Sequence, residues 1–306
     1  MKRFILRTLS FLLILVVADF SLGQAFAFMQ SHAIGGNNGR VNYVCNKTSE
    51  DILIFGSSRA SHHYNPQILT DSLGLSAFNC GERGNGIILN YGRLLMIEER
   101  YKPKVIIYEV TYSFDLLKDD NHKYLGYLKS YYDRPGIKEI FQSVDKTEQW
   151  KMKSLLYRYN SNFLSIMADR FLPINSMGTK GFLPLSGELD TLKIRRKGDD
   201  NQHVGFDSLK LDYIQKFIDH CKDVKLIFAV SPSWYGINPD LLRPIYDICK
   251  EQDIPLLDFS NDPKYVHNNA YSKDGAHMNA RGADEFTRDV VKELRKRGII
   301  SHLGDV

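Results

Sequence analysis

Short apolar runs closed by glycine, asparagine or a polar cluster alternate along most of the chain with longer stretches of helical apolar spacing. Ile52–Phe55, Ser76–Asn79, Val105–Val110, Val224–Val230 and Ile254–Asp258 read as five strands. The intervening stretches read as helices: from Asn65 to about Leu73, Ile87–Tyr101, Phe206–Cys221, Pro239–Gln252 and Ala280–Arg297. Asn65-Pro66 supplies a cap and a first-turn proline, and Gly74, Pro103 and Gly298 supply stops. Strands alternating with helices imply a parallel sheet covered on both faces. The expected fold is α/β: a three-layer α/β/α domain over 51–300 with a flavodoxin-like five-stranded parallel sheet. The alternation breaks between about 111 and 205, where the chain is polar and aromatic and contains no βαβ unit. Trp150–Phe171 reads as helical, Gly178–Gly187 as loop, and Lys123–Tyr132 as a solvated face or lid. This insertion is expected over the carboxyl edge of the sheet, and its length suits a role in specificity.

The first residues follow a different pattern. Lys2, Arg3 and Arg7 precede the apolar run Leu9–Ala18, Asp19 follows it, and Ala25-Phe26-Ala27 forms an A-x-A site. Residues 1–28 therefore read as a secretory signal or as an uncleaved membrane anchor over residues 4–28. Either reading exports the rest of the chain, to a periplasmic or cell-envelope location. In the anchor reading, Asp19 would cost roughly 2.5–3.5 kcal/mol if it sat at the centre of the span. Residues 29–50, rich in Gly and Asn between His32 and Lys47, read as a tether.

Composition narrows the function. The net charge of +4 is concentrated at the ends, at Lys2–Arg7 and Lys292–Arg297. The middle carries no basic stripe interleaved with aromatics, so nucleic acid is excluded as a partner. No CxxC pair or His at zinc spacing accompanies Cys45, Cys80, Cys221 and Cys249, so neither a metal nor another cofactor is expected. Cys45 and Cys80 flank the first two strands and read either as a disulfide or as free buried thiols.

The first strand runs into Gly56-Ser57-Ser58-Arg59. Strand ends at the carboxyl edge of an open α/β sheet are where ligands bind. Ser58 is the candidate nucleophile, and a serine hydroxyl has to be activated by a base. His277 lies in Asp274-Gly-Ala-His277 at another strand-to-helix junction, hence on the same edge. The three-residue step lets Asp274 orient one imidazole nitrogen while the other faces the serine. His62 and His63 are weaker candidates for the base. Arg59 reads as a binder of an anionic substrate group or as a salt-bridge partner of an acid such as Asp115. Trp234, after the fourth strand, reads as a sugar-stacking platform or as packing for the insertion.

In order and spacing these pieces resemble the SGNH/GDSL hydrolases, in their exported, cell-envelope form. Gly56-Ser57-Ser58 stands at the family's Gly-Asp-Ser, with Ser57 in place of Asp. Asn79-Cys-Gly-Glu-Arg-Gly84 stands at the second block, and Asp274-Gly-Ala-His277-Met-Asn-Ala-Arg-Gly282 at the last. The resemblance covers roughly residues 50–110 and 206–297. It implies a Ser58–His277–Asp274 triad that works without metal, with the Ser58 and Gly84 N–H groups holding an oxyanion. The third block departs from the pattern: Ser113 stands where the family carries its oxyanion asparagine. The expected activity is an exported serine esterase acting on an O-acylated glycan or similar ester. The alternatives are an O-acyltransferase using the same residues on an envelope polysaccharide, and a non-catalytic envelope protein of this fold.

Overall fold

The computed structural model describes residues 1–172, 174, 177–190 and 205–300. Five strands, β1 Ile52–Gly56, β2 Ala77–Asn79, β3 Val105–Glu109, β4 Lys225–Val230 and β5 Leu256–Asp258, form one sheet in the order β2-β1-β3-β4-β5. Every pairing is parallel; Ile54, for example, faces Asn79 on one side and Ile107 on the other. The helices in chain order are α1 Lys2–Ser31, α2 Gly36–Asn46, α3 Ser58–His63, α4 Pro66–Leu73, α5 Ile87–Glu98, α6 Tyr112–Asp115, α7 Ile137–Val144, α8 Glu148–Lys151, α9 Phe163–Phe171, α10 Ser208–His220, α11 Arg243–Glu251 and α12 Ala280–Lys296. The three-layer α/β/α architecture read from the sequence is present.

The strands alternate apolar residues between two cores, because successive side chains point to opposite faces. Leu53, Phe55, Ile106, Tyr108 and Phe228 join α2, α5, α10 and α11 on one face. Ile52, Ile54, Ile107, Ile227 and Ala229 meet α3, α4 and α12 on the other. Parallel strands all end on one side, so β1, β3 and β4 deliver Gly56, Glu109 and Val230 to a common edge.

Two segments differ from the sequence reading. Residues 32–47, expected as a tether, contain α2, which packs into the first core through Val41, Val44 and Cys45. Its apolar stripe is too short to show a period. Its polar residues are held individually: Asp169 accepts from the Asn38 main chain and side chain, at 2.9 and 2.7 Å. Buried Arg40 donates to the main-chain oxygens of Gly181, Asn79 and Gly81 at 2.8, 3.1 and 2.8 Å. The insertion, expected over the carboxyl edge, lies largely on the α5 side. The 3-10 stretch Asn121–Tyr131 and α7 bury Tyr124, Leu125, Leu128, Ile140 and Phe141 there, so Lys123–Tyr132, expected as a solvated face or lid, contributes Tyr124, Leu125, Leu128 and Tyr132 to the core and leaves Lys123 exposed. Trp150–Phe171 is broken into α8, the 3-10 turn Leu156–Tyr159 and α9.

The strap 178–189 runs beside the site. Lys180 O accepts the Asn79 N–H on the free edge of β2, Leu183 N–H donates to Ser61 O, and Leu185 O accepts from Ala280. All four cysteines are free buried thiols, and burial pushes Cys45 up to about 11 and Cys80 up to about 12.

Arg40 therefore ties the N-terminal segment to the loop after β2. Arg40→Met should destabilise the full chain by about 2–4 kcal/mol, since buried carbonyls lose charge-assisted donors. Thermal unfolding would show this as a lower Tm, and an unchanged Tm would place Arg40 outside the stability of this loop.

Candidate active site

Gly56 ends β1 with φ +137, and a Cβ there would meet Glu109 O at 2.6 Å. Glycine is the residue that takes this conformation without strain. The turn it allows points the next two serines away from the sheet. Ser57 caps α3: its Oγ accepts the Arg59 N–H and lies 2.6 Å from Thr111 Oγ1. Ser58 is the first residue of α3 and half-buried. Among the described residues its N–H has no partner.

Ser58 Oγ lies 2.9 Å from His277 Nε2, although 219 residues separate them. His277 Nδ1 lies 3.1 and 3.0 Å from the two carboxylate oxygens of Asp274. An ionised carboxylate can only accept, so Nδ1 carries the hydrogen and Nε2 presents its lone pair to the serine. The loop holding this pair is closed on itself. Asp274 Oδ1 accepts the N–H groups of Ala276 and His277, and His277 O accepts from Lys273. Partial burial pushes the Asp274 carboxyl up, but the His277 imidazole and those two N–H groups outweigh it and hold the carboxyl at about 2.

Beneath the serine lies a buried polar network centred on Glu109. Its carboxylate faces Arg59 Nε at 3.3 Å, and both side chains are almost fully enclosed. It also accepts from Tyr64 OH, from the Ser231 N–H at 3.0 Å and from Ser231 Oγ at 2.7 Å. Ser231 Oγ in turn lies 2.7 Å from His63 Nδ1. His63 Nε2 accepts the Met278 N–H at 3.0 Å, so Nδ1 is the protonated nitrogen. Desolvation lowers the His63 pKa well below its ordinary value, aided by the neighbouring Arg59, and keeps the ring neutral. Burial raises the Glu109 carboxyl against the pull of Arg59 and its hydrogen bonds.

The remaining candidates are placed as follows. Gly84 lies in an exposed turn with φ +70, its N–H unpartnered among the described residues. That turn is anchored from below by Asn79, whose side chain donates to Ala60 O and Tyr64 O and accepts from Gly81 N–H. Ser113 sits half-buried in the one-turn α6, and no hydrogen bond joins it to Ser58, Gly84 or His277 among the described residues. The helix α6 is held by Asp115, which accepts from Tyr108 OH and the Thr111 N–H. Burial raises Asp115 to about 7. Arg59 is 4% exposed; its Nε faces Glu109 and donates to Ser231 Oγ, so its acid is Glu109 and not Asp115, while its Nη2 is buried with no hydrogen-bond partner among the described residues. Trp234 packs edge-on against Tyr235 and His267, and its Nε1 donates to Asn269 Oδ1 at 2.8 Å. With Ser233, Tyr271 and Ser272 it lines a narrow cleft that reaches His277. His62 and His63 present ring edges to His277, but neither bonds Ser58: His62 Nδ1 is 2.6 Å from Leu183 O.

The sequence reading gave Glu109, Ser231 and Tyr64 no role, and it weighed His63 only as a base. The available signal was a glutamate closing the apolar run of β3 and a serine directly after β4, two polar residues at the carboxyl ends of central strands.

Glu109→Ala should destabilise the fold by about 3–5 kcal/mol, because Arg59 is left buried and unpaired. Denaturant unfolding measures this. A loss below about 1 kcal/mol would contradict the network's role.

No family model matches the chain, and no curated protein does. Solved structures with similar folds include three of low identity. A Streptococcus pneumonia protein given as a candidate platelet activating factor is 10% identical, with 94% of this chain and 98% of that one covered and a TM-score of 0.41. A protein ascribed to the lipolytic G-D-S-L family from Desulfitobacterium hafniense DCB-2 is 14% identical, with 79% and 98% covered and a TM-score of 0.36. An acetyl xylan esterase from the rumen bacterium Butyrivibrio proteoclasticus is 10% identical, with 82% and 65% covered and a TM-score of 0.37.

Proposed function

We propose that the chain is an exported serine esterase of the SGNH/GDSL type that deacylates an O-acylated glycan or a similar ester. One observation carries this reading: the unbroken relay from Ser58 Oγ through His277 to Asp274 at the carboxyl edge of a parallel sheet. Ser58 Oγ attacks the ester carbonyl while His277 Nε2 takes its proton. Asp274 stabilises the imidazolium that forms. The carbonyl oxygen becomes an oxyanion, and the free N–H groups of Ser58 and Gly84 are the donors available to it. The C–O bond to the leaving alcohol breaks as His277 returns the proton to that alcohol. Water, deprotonated by His277, then releases the acid and restores Ser58.

The proposed substrate class rests on the reading of export and on the half-buried aromatic residues Trp234 and Tyr271 near the base, whose rings suit the apolar face of a sugar.

The test is hydrolysis of p-nitrophenyl acetate by the full chain. Ser58→Ala and His277→Ala should each lower kcat/KM by about 10³-fold or more. Rates equal to wild type in both variants would refute the esterase reading.

A further inference from the structure

The helix α1 is long enough to cross a membrane, with a mean hydropathy of 2.1 over its most apolar stretch. Its two halves differ. Leu9–Val17, after Arg7, is apolar apart from Ser10 and exposed throughout. From Asp19 onward the helix is bound to the insertion. Asp19 accepts from Ser154 Oγ and from the N–H groups of Leu155, at 2.9 Å, and Leu156, at 3.2 Å. Gly23 lies directly against Leu155. The Phe26 ring meets that of Phe163 at a tilt with ring centres 4.5 Å apart, and Gln30 donates to Ser130 at 2.8 Å. The A-x-A site Ala25-Phe26-Ala27 thus lies inside a helix packed on the domain. The charge that made an anchor costly is satisfied by three donors from the insertion.

Length then sets the depth of the bilayer. Even counted from Phe4, and so with Arg7 inside it, the stretch to Ala18 covers only about 22 Å at 1.5 Å per residue, whereas the hydrocarbon core is about 30 Å thick. The outer boundary must therefore reach residues beyond Asp19, where the helix already carries the insertion. The insertion surface there has the composition such a position demands. Leu164, Met167 and Phe171 form an i, i+3, i+7 stripe on α9, and all are exposed, Leu164 at 83%. Leu172, Ile174 and Trp150 are exposed as well. Ile34, also exposed, is joined to the end of α9 by its N–H to Asp169 O. Cations accompany the aromatics: Lys153 Nζ lies 4.0 Å above the Trp150 ring and Arg170 5.4 Å from Phe171. Aromatic rings paired with Lys and Arg beside an apolar stripe are the pattern of an interfacial segment on anionic lipid.

We propose that α1 is retained as an anchor and that the insertion face carrying Trp150, Leu164, Met167 and Phe171 lies in the phospholipid interface beside it. The insertion is then a membrane-seated collar as well as a cover for the sheet. This inference is independent of the esterase chemistry.

Trp150 and Trp234 are the chain's two tryptophans, which makes the test direct. The full chain, purified with its native N-terminus and checked by intact mass, is placed in phosphatidylglycerol vesicles with plain or acyl-brominated lipid. The Trp234→Phe variant, which reports Trp150, should lose most of its emission in brominated lipid. The Trp150→Phe variant should lose little, and the unsubstituted chain an intermediate share, which holds even if a variant folds poorly. Equal Trp150 emission in both lipids would overturn the proposal. So would a mass that begins after Ala27, or burial of Trp150 in a second copy of the chain, seen as a dimer without quenching.

Discussion

The structure depends on one buried ion pair. Glu109 at the end of β3 and Arg59 in the first turn of α3 neutralise each other under the candidate serine, and every other member of the network is oriented by them. Through Ser231 the pair reaches the end of β4, and through His63 it reaches the Met278 N–H, one residue beyond His277. Two loops more than two hundred residues apart are thereby fixed to one point. The 2.9 Å contact between Ser58 and His277 is the visible result. A buried charge without its partner is strongly destabilising, so the network holds only when complete. That is the physical sense in which the sheet edge is organised around Glu109.

The elements outside the α/β frame reinforce this edge instead of merely decorating it. Arg40 on α2 grips the main chain at Asn79, Gly81 and Gly181, so the N-terminal segment supports the loop that carries Gly84. The strap of the insertion bonds Ser61 and Ala280, which flank the two halves of the triad in sequence. The insertion also receives α1 at Asp19. The N-terminal helix, the insertion and the candidate site are thus one mechanically continuous body.

Much of the frame was legible in the sequence because its signals are local. Asn65-Pro66 and Gly74 bound α4 as read, and the β-branched run before Glu109 marks the central strand. The spacing of Asp274 and His277 predicted a shared face, and both side chains do meet. What was not legible is long-range pairing of polar residues. The salt bridge read for Arg59 was assigned to Asp115, whereas its acid is Glu109, fifty residues downstream at a strand end. The segment 32–47 looked like a tether because Asn38, Arg40 and Asn42 are polar, yet each is held by a partner the sequence does not reveal. Lys123–Tyr132 looked solvated for the same reason, since the stems and rings of its polar residues cover core.

The most direct measurement of the central claim is covalent labelling of the full chain with a fluorophosphonate, read by intact mass and by the modified peptide. The account predicts one adduct, on Ser58, lost in Ser58→Ala and strongly slowed in His277→Ala. A wild-type chain that takes up no adduct, or takes it up at another serine, would contradict it.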